Sequence, residues 1–198
     1  MTNLSDRNDW ENVDTLGKLL DSTLPSAKEF IGNFDDLLKF LKEKGCNILP
    51  ASKNATGTRM LEIGSGKGHF VTAMKKRGYD ILGIDLVTTN PDGTPRAPAD
   101  AGIIMADAAD LRGTAGAHAD KFPDQRYDIV FADHSFALHE YGEKRFKMAN
   151  EVHRVLKDGG FFVAAFYKIP PPQTKFPSLA KTWVLKTING QQIIVLQK

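Results

Sequence analysis

Cysteine is almost missing from this sequence: 198 residues contain one, Cys46. One thiol closes no internal disulfide and builds no cysteine metal cage, which fits a reducing cytoplasm. Beside a predicted helix end, Cys46 reads as packing rather than as a nucleophile. Long apolar runs are missing too. No stretch of about 18 apolar residues occurs, so no membrane-spanning helix is expected. The polar, acidic start MTNLSDRNDW lacks the apolar segment of a signal peptide. Nor is one sign of charge in excess. Against 24 acidic residues stand 26 basic ones, and the formal net charge of +2 is too small to imply a nucleic-acid partner. Repeats and low-complexity segments are absent. What remains is the composition of one soluble globular domain, 41% hydrophobic and 25% charged, long enough to bury a sizeable core.

Charge is nevertheless uneven along the chain. Acids collect in the N-terminal region (Asp6, Asp9, Glu11, Asp14, Asp21, Asp35, Asp36). Lys168, Lys175, Lys181, Lys186 and Lys198 lie beyond Asp158, after which no acid occurs. An ordinary solvated basic edge explains this; attraction for an acidic substrate or RNA is the sharper alternative.

The apolar pattern divides the chain near residue 57. Before it, two stripes with helical spacing predict two helices. The first carries Trp10, Val13, Leu16, Leu19 and Leu20, and the second Phe30, Phe34, Leu37, Leu38 and Leu41, with Pro25 near its start and Gly45 as its stop. After it, strands alternate with helices. RMLEIG, YDILGIDL, GIIMAD, RYDIVFAD and GGFFVAAFY read as strands, and GHFVTAMKKRG and EKRFKMANEVHRVLKD as helices. Short apolar strands joined by helices indicate a parallel sheet covered on both faces. The end differs: TWVLKTI and QQIIVLQK flank Asn189-Gly190, a strong hairpin signal. The expectation is an α/β, doubly wound, mostly parallel seven-stranded sheet that ends in an antiparallel β-hairpin, with two N-terminal helices. One compact body results, residues 1–57 forming a helical cap or lid segment and 58–198 the ligand-binding domain.

The segment RMLEIGSGKGHF carries the chemistry. Gly64, Gly66 and Gly68 interrupt the chain between a predicted strand and a predicted helix. Glycine there admits positive φ and lets a ligand lie against the backbone, at the corner where open α/β sheets bind ligands. A phosphate loop of the Walker type fails, because Lys67 is followed by Gly68 and His69 rather than by Ser or Thr. A dinucleotide fingerprint fits Gly64 and Gly66 but meets His69 at its third small position. What remains is an acid followed by three alternate glycines: Glu62, Gly64, Gly66, Gly68. A charge at Glu62, inside an apolar strand, demands a partner.

This pattern resembles the class I S-adenosylmethionine-dependent methyltransferases, over most of residues 58–198, in their small-molecule branch. Glu62 to Gly68, with Ser65, is similar to their first motif. The resemblance implies that Asp85, with Leu86 beside it, receives the ribose hydroxyls. It implies that Asp107 and Ala108 meet the adenine amino group and ring, and that Glu62 meets the ligand's ammonium or the loop amides. Asp110, one turn on, is an alternative acid or a helix cap. YDIVFAD resembles the fourth strand, NEVHRVLKDGGFFVAAF the helix, turn and fifth strand, and the closing hairpin agrees. Asp128, at the start of the fourth strand, reads as structural.

Methyl transfer needs orientation and exclusion of water, and a base only for a protonated acceptor. The segment ADHSFALHEY, just past the fourth strand, holds Asp133, His134 and His139. Asp133 is expected near the ligand, and His134 and His139 are the candidate catalytic bases. The Asn/Asp-Pro-Pro-Tyr/Phe signature of amino-methylating nucleic-acid enzymes is absent there, and IPPP follows the fifth strand instead. The expectation is an enzyme that binds S-adenosylmethionine and its product S-adenosylhomocysteine, uses no metal, and methylates a nitrogen, oxygen or carbon of a small molecule. An RNA or protein methyltransferase is the alternative within the class. A catalytically silent S-adenosylmethionine-binding scaffold or regulatory subunit is the alternative outside it.

Overall fold

The computed structural model describes residues 38–39, 42–43, 57–133, 143–166, 181–188 and 191–198. The two expected N-terminal helices, the cap segment and Cys46 lie outside the described residues, apart from two short helical pieces at residues 38–39 and 42–43.

Seven strands form one sheet: β1 (Arg59–Ile63), β2 (Asp80–Asp85), β3 (Ile103–Met105), β4 (Tyr127–Asp133), β5 (Leu156–Phe166), β6 (Lys181–Ile188) and β7 (Gln191–Gln197). Their order is β3-β2-β1-β4-β5-β7-β6. The first five pair in parallel, and β7 inserts antiparallel between β5 and β6. The mostly parallel sheet with an antiparallel close is the architecture the alternation and Asn189-Gly190 led us to expect. The chain reverses direction across the sheet between β1 and β4, the switch point of such folds.

Helices α1 (His69–Lys76), α2 (Leu111–Thr114) and α3 (Glu143–Val155) are described. Among the described residues no helix is long and apolar enough to cross a membrane. Strand β1 is apolar on both faces because both are covered: Met60 and Leu61 are fully buried. On one face α1 lays down Phe70, Val71 and Met74, and Phe70 stacks on Phe131 of β4 with ring centroids 4.6 Å apart. On the other, Met148, Val152 and Val155 of α3 pack with Leu61, Ile63, Val130, Phe162 and Leu196.

α1 stops sharply. Gly78 takes φ 88°, its N–H donates to Lys75 O (2.9 Å), and the Tyr79 N–H donates to Met74 O (3.1 Å). These paired bonds form a Schellman turn, which aims the chain directly into β2.

Strand β5 begins at Leu156, three residues before the expected GGFFVAAFY. Leu156 pairs with Tyr127, and the ladder resumes at Phe161 opposite Ile129. Pairing therefore starts before the Gly159-Gly160 turn. Two 3-10 turns (Ala99–Ala101 and Gly116–Lys121) and α2 lie between the expected strands.

Candidate functional site

The parallel strands bring their carboxyl ends together. Ile63 pairs with Ile84 and with Ala132, so Gly64, Asp85 and Asp133 stand level, each one residue beyond those pairs. Asp85 pairs with Met105, two residues before Asp107. One edge thus gathers the glycine loop and three of the acidic positions singled out from the sequence.

The loop folds back onto β2. The N–H groups of Gly64 and Ser65 both donate to Ile84 O (2.9 Å each), that of Gly66 to Asp85 Oδ2 (2.8 Å), and that of Gly68 to Ser65 O (2.7 Å). Asp85 Oδ1 accepts from the Val87 N–H at 3.0 Å. Four loop amides are therefore spent inside the protein. A phosphate cradle needs such amides free, so this loop is poorly equipped for a pyrophosphate. Asp85 keeps one unused lone pair on each oxygen and can still accept from two hydroxyls.

The glycines serve different ends. Gly66 has φ 49°, and a Cβ there would meet nothing within 4 Å. Its open side leaves room for a ligand to lie against the backbone. Gly68 has φ 74°, and a Cβ there would lie 2.9 Å from Ile103 Cδ1 and 3.0 Å from Ala101 Cβ. It lets the start of α1 close against the chain leading into β3. His69 is exposed, so its bulk does not obstruct the contact between α1 and the sheet. The spent amides, rather than His69, weigh against a dinucleotide.

Glu62 lies on the α1 face of the sheet, in register with Gly83 and Phe131. It is 4% exposed, and its Oε2 has no hydrogen-bond partner among the described residues. The Ser65 hydroxyl, next to it, donates to the Glu62 backbone carbonyl at 3.2 Å. Burial pushes the Glu62 carboxyl up to about 8; the Ser65 hydroxyl opposes this and the Asp85 carboxylate adds to it.

Asp107 anchors a turn. Its Oδ1 accepts from the Ala109 N–H (2.8 Å), and its Oδ2 pairs with Lys144 Nζ of α3 (3.4 Å). Asp110 caps α2, accepting from the Gly113 N–H at 3.0 Å. The cap role belongs to Asp110, which leaves Asp107 as the acid at the end of β3.

Residues 61–164 match the methyltransferase domain family. The chain belongs to that family. It is a S-adenosylmethionine-dependent methyltransferase of class I.

Solved structures agree in fold. The chain is similar to a SAM-dependent methyltransferase from Archaeoglobus fulgidus (16% identity, TM-score 0.52, covering 71% of this chain and 86% of that one). It is also similar to the PH0226 protein of Pyrococcus horikoshii (16%, TM-score 0.53, 83% and 91%). A third is the 1,6-didemethyltoxoflavin-N1-methyltransferase of Burkholderia thailandensis, solved with 1,6-didemethyltoxoflavin and S-adenosylhomocysteine (13%, TM-score 0.54, 88% and 91%). No curated protein matches the chain.

The methyltransferase residues fit this cofactor on three counts: the orphaned Glu62 Oε2, the open side of Gly66, and the spare acceptors of Asp85. Glu62, Gly64, Ser65, Gly66, Asp85, Leu86, Asp107, Ala108 and the backbone of Asp133 gather at one edge of the sheet, while Gly68 packs behind the loop. His134 and His139 lie outside the described residues. Among the described residues no group of three His, Cys, Asp or Glu side chains could hold a metal ion.

Two contributors escaped the sequence reading. At Gly83 a Cβ would lie 2.5 Å from Ser65 Oγ and 2.8 Å from Val71 Cγ2, so only glycine lets the loop and α1 sit down on β2. A glycine inside a strand signals such close approach, and ILGID carried that signal. Lys144, which pairs with Asp107, carried none.

Proposed function

We propose that this methyltransferase acts on a small molecule, by direct displacement to a nitrogen, oxygen or carbon acceptor. The observation that carries the cofactor half of this reading is the division of polar capacity at the glycine loop. Its amides are satisfied within the protein, whereas a buried carboxyl and an acid at the strand end remain available. Such a site suits a ligand with an ammonium and a ribose better than one with a phosphate.

When bound, S-adenosylmethionine supplies a methyl group on a sulfonium, which leaves readily. In our reading Glu62 faces the ammonium and Asp85 accepts from the ribose hydroxyls. Leu86 and the Ala108 N–H border the adenine, and Asp107 accepts from its amino group. Gly64, Ser65, Gly66 and Gly68 shape the floor, and Asp133 stands beside the methionine half. His134, next along the chain, removes the proton of a protonated acceptor, with His139 as second candidate. Residues 1–57 cap the site over domain 58–198 and exclude water from it.

The small-molecule reading is supported by the missing nucleic-acid signature after β4 and by the Burkholderia neighbour, whose name gives a small-molecule acceptor. The C-terminal lysines favour RNA less than their number suggests. Lys198 Nζ is spent on Leu156 O (2.8 Å) and lies 3.5 Å from Asp158. The test is incubation of the protein with methyl-labelled cofactor and a cell extract, separated into small molecules, RNA and protein. Label in the small-molecule fraction is expected; label confined to RNA or protein sinks the substrate class.

A further inference from the structure

Among the described residues, Glu62 Oε2 is the only buried side-chain nitrogen or oxygen without a hydrogen-bond partner. Its neighbours explain why a charge would be costly there. From β4, Phe131 lies in register beside it, stacked on Phe70 of α1. From β2 comes Gly83, with no side chain, and then Asp85, a second carboxylate. From the loop comes the Ser65 hydroxyl, a neutral group. The other ionisable groups of the loop and the first turn of α1, Lys67 and His69, are exposed. A carboxyl in such surroundings, buried and with a second acid nearby that raises it further, holds its proton.

We propose that ligand binding at the glycine loop is coupled to a proton on Glu62: the carboxyl is neutral in the free protein, and an entering amino-acid ammonium takes the proton's place. The inference rests on reading this loop as the S-adenosylmethionine site. The exchange balances simply. The carboxyl O–H bond breaks, the proton passes to water, and an N–H of the ammonium donates to the carboxylate thus formed. No electrons move and no covalent bond of the ligand changes. Carboxylate and ammonium together are neutral, so the cost of burying either alone is largely offset. Glu62 thereby becomes a specificity-determining residue. A ligand with the adenosine half but no ammonium gives nothing in return for the proton and leaves Glu62 neutral. With the carboxyl pushed to about 8 by burial, about nine in ten molecules carry the proton at pH 7.

The experiment is isothermal titration of the full chain with two probes, S-adenosylhomocysteine and 5′-methylthioadenosine, which lacks the amino-acid end. Titrations at pH 7 in buffers of different ionisation enthalpy count the protons released. We expect about 0.9 proton released per S-adenosylhomocysteine and about none per 5′-methylthioadenosine. The Kd of S-adenosylhomocysteine should fall about tenfold per pH unit between pH 6 and 7.5, and that of 5′-methylthioadenosine should stay level. In Glu62→Gln both the release and the slope should vanish. If that variant does not fold, the two-ligand comparison on the wild type decides alone. Tight, pH-independent binding of S-adenosylhomocysteine without proton release overturns the coupling while leaving the site in place. Equal release with both probes puts the proton at the adenosine end and overturns it too. Failure of the wild type to bind either probe overturns the site and the coupling together.

Discussion

The two edges of the parallel sheet handle charge in opposite ways. At the amino-terminal edge, charges answer charges. Asp128 takes the Arg59 N–H (2.8 Å) and Lys157 Nζ (2.6 Å), and Arg59 faces Asp80 at 3.4 Å. Nearby, Arg154 donates to Glu151, Asp124 and Phe122 O, which ties α3 to the chain before β4. At the carboxyl-terminal edge Asp107 has a cationic partner in Lys144, but among the described residues Glu62 is left with an orphan oxygen and Asp85 meets only backbone amides. One fold carries a closed network and an open one. The first holds the chain together, and the second, in our proposal, is completed by a ligand. The comparison predicts that substitutions at one edge change stability and at the other change binding.

The largest effect is expected at Gly66. A valine there fills the open side of the loop and must adopt φ near 49°. Cofactor affinity should fall by about 1,000-fold, roughly 4 kcal/mol, with the circular dichroism of a folded protein retained. Loss of folding instead would move Gly66 from the ligand's account to the fold's.

Next comes the dependence of stability on pH. The Glu62 carboxyl is raised from 4.5 to about 8 in the folded protein. Below the lower value both states are protonated, and its full contribution to stability is present. As pH rises from about 4.5 to 8, the unfolded chain gives up a proton that the folded chain retains. Stability should fall as pH rises over that window, by on the order of 1 kcal/mol per pH unit relative to Glu62→Gln. Urea titrations of both proteins at several pH values measure the difference. Parallel curves would mean that Glu62 finds a partner in the free protein.

Arg154→Met should cost about 2 kcal/mol of unfolding free energy, since several charge-assisted bonds go and Glu151 loses its guanidinium. Cofactor affinity should stay within about twofold. Asp128→Asn, at a half-buried pair near the edge, should cost about 1 kcal/mol or less, again without effect on binding. If either of these substitutions weakens binding tenfold, the two edges are not independent.

Much of this division is legible in the sequence. Central parallel strands are buried on both faces, so RMLEI and YDIVFAD stand out as apolar runs, and the acid before three alternate glycines stands out because nothing in a strand calls for it. Asn189-Gly190 announces the closing hairpin. What is tertiary is harder to read. Lys144 and Asp107 are 37 positions apart in a 198-residue chain, and their pairing depends on where α3 crosses the sheet. The early start of β5 depends on a register irregularity opposite Asp128. His69 looks obstructive in the sequence, but it opens α1 on the exposed side, which periodicity alone does not reveal. The expectations for the N-terminal helices, His134 and His139 rest on residues outside those described.

The central claim is that the open edge is the cofactor site, with Asp85 at its mouth. Calorimetric titration of S-adenosylhomocysteine into wild type and Asp85→Ala tests it most directly. The wild type should show one site per chain, and the variant should bind about 10- to 100-fold more weakly, or roughly 1.5–3 kcal/mol, for the loss of two charge-assisted bonds. Equal affinity in the two proteins, or no binding by the wild type, would contradict it.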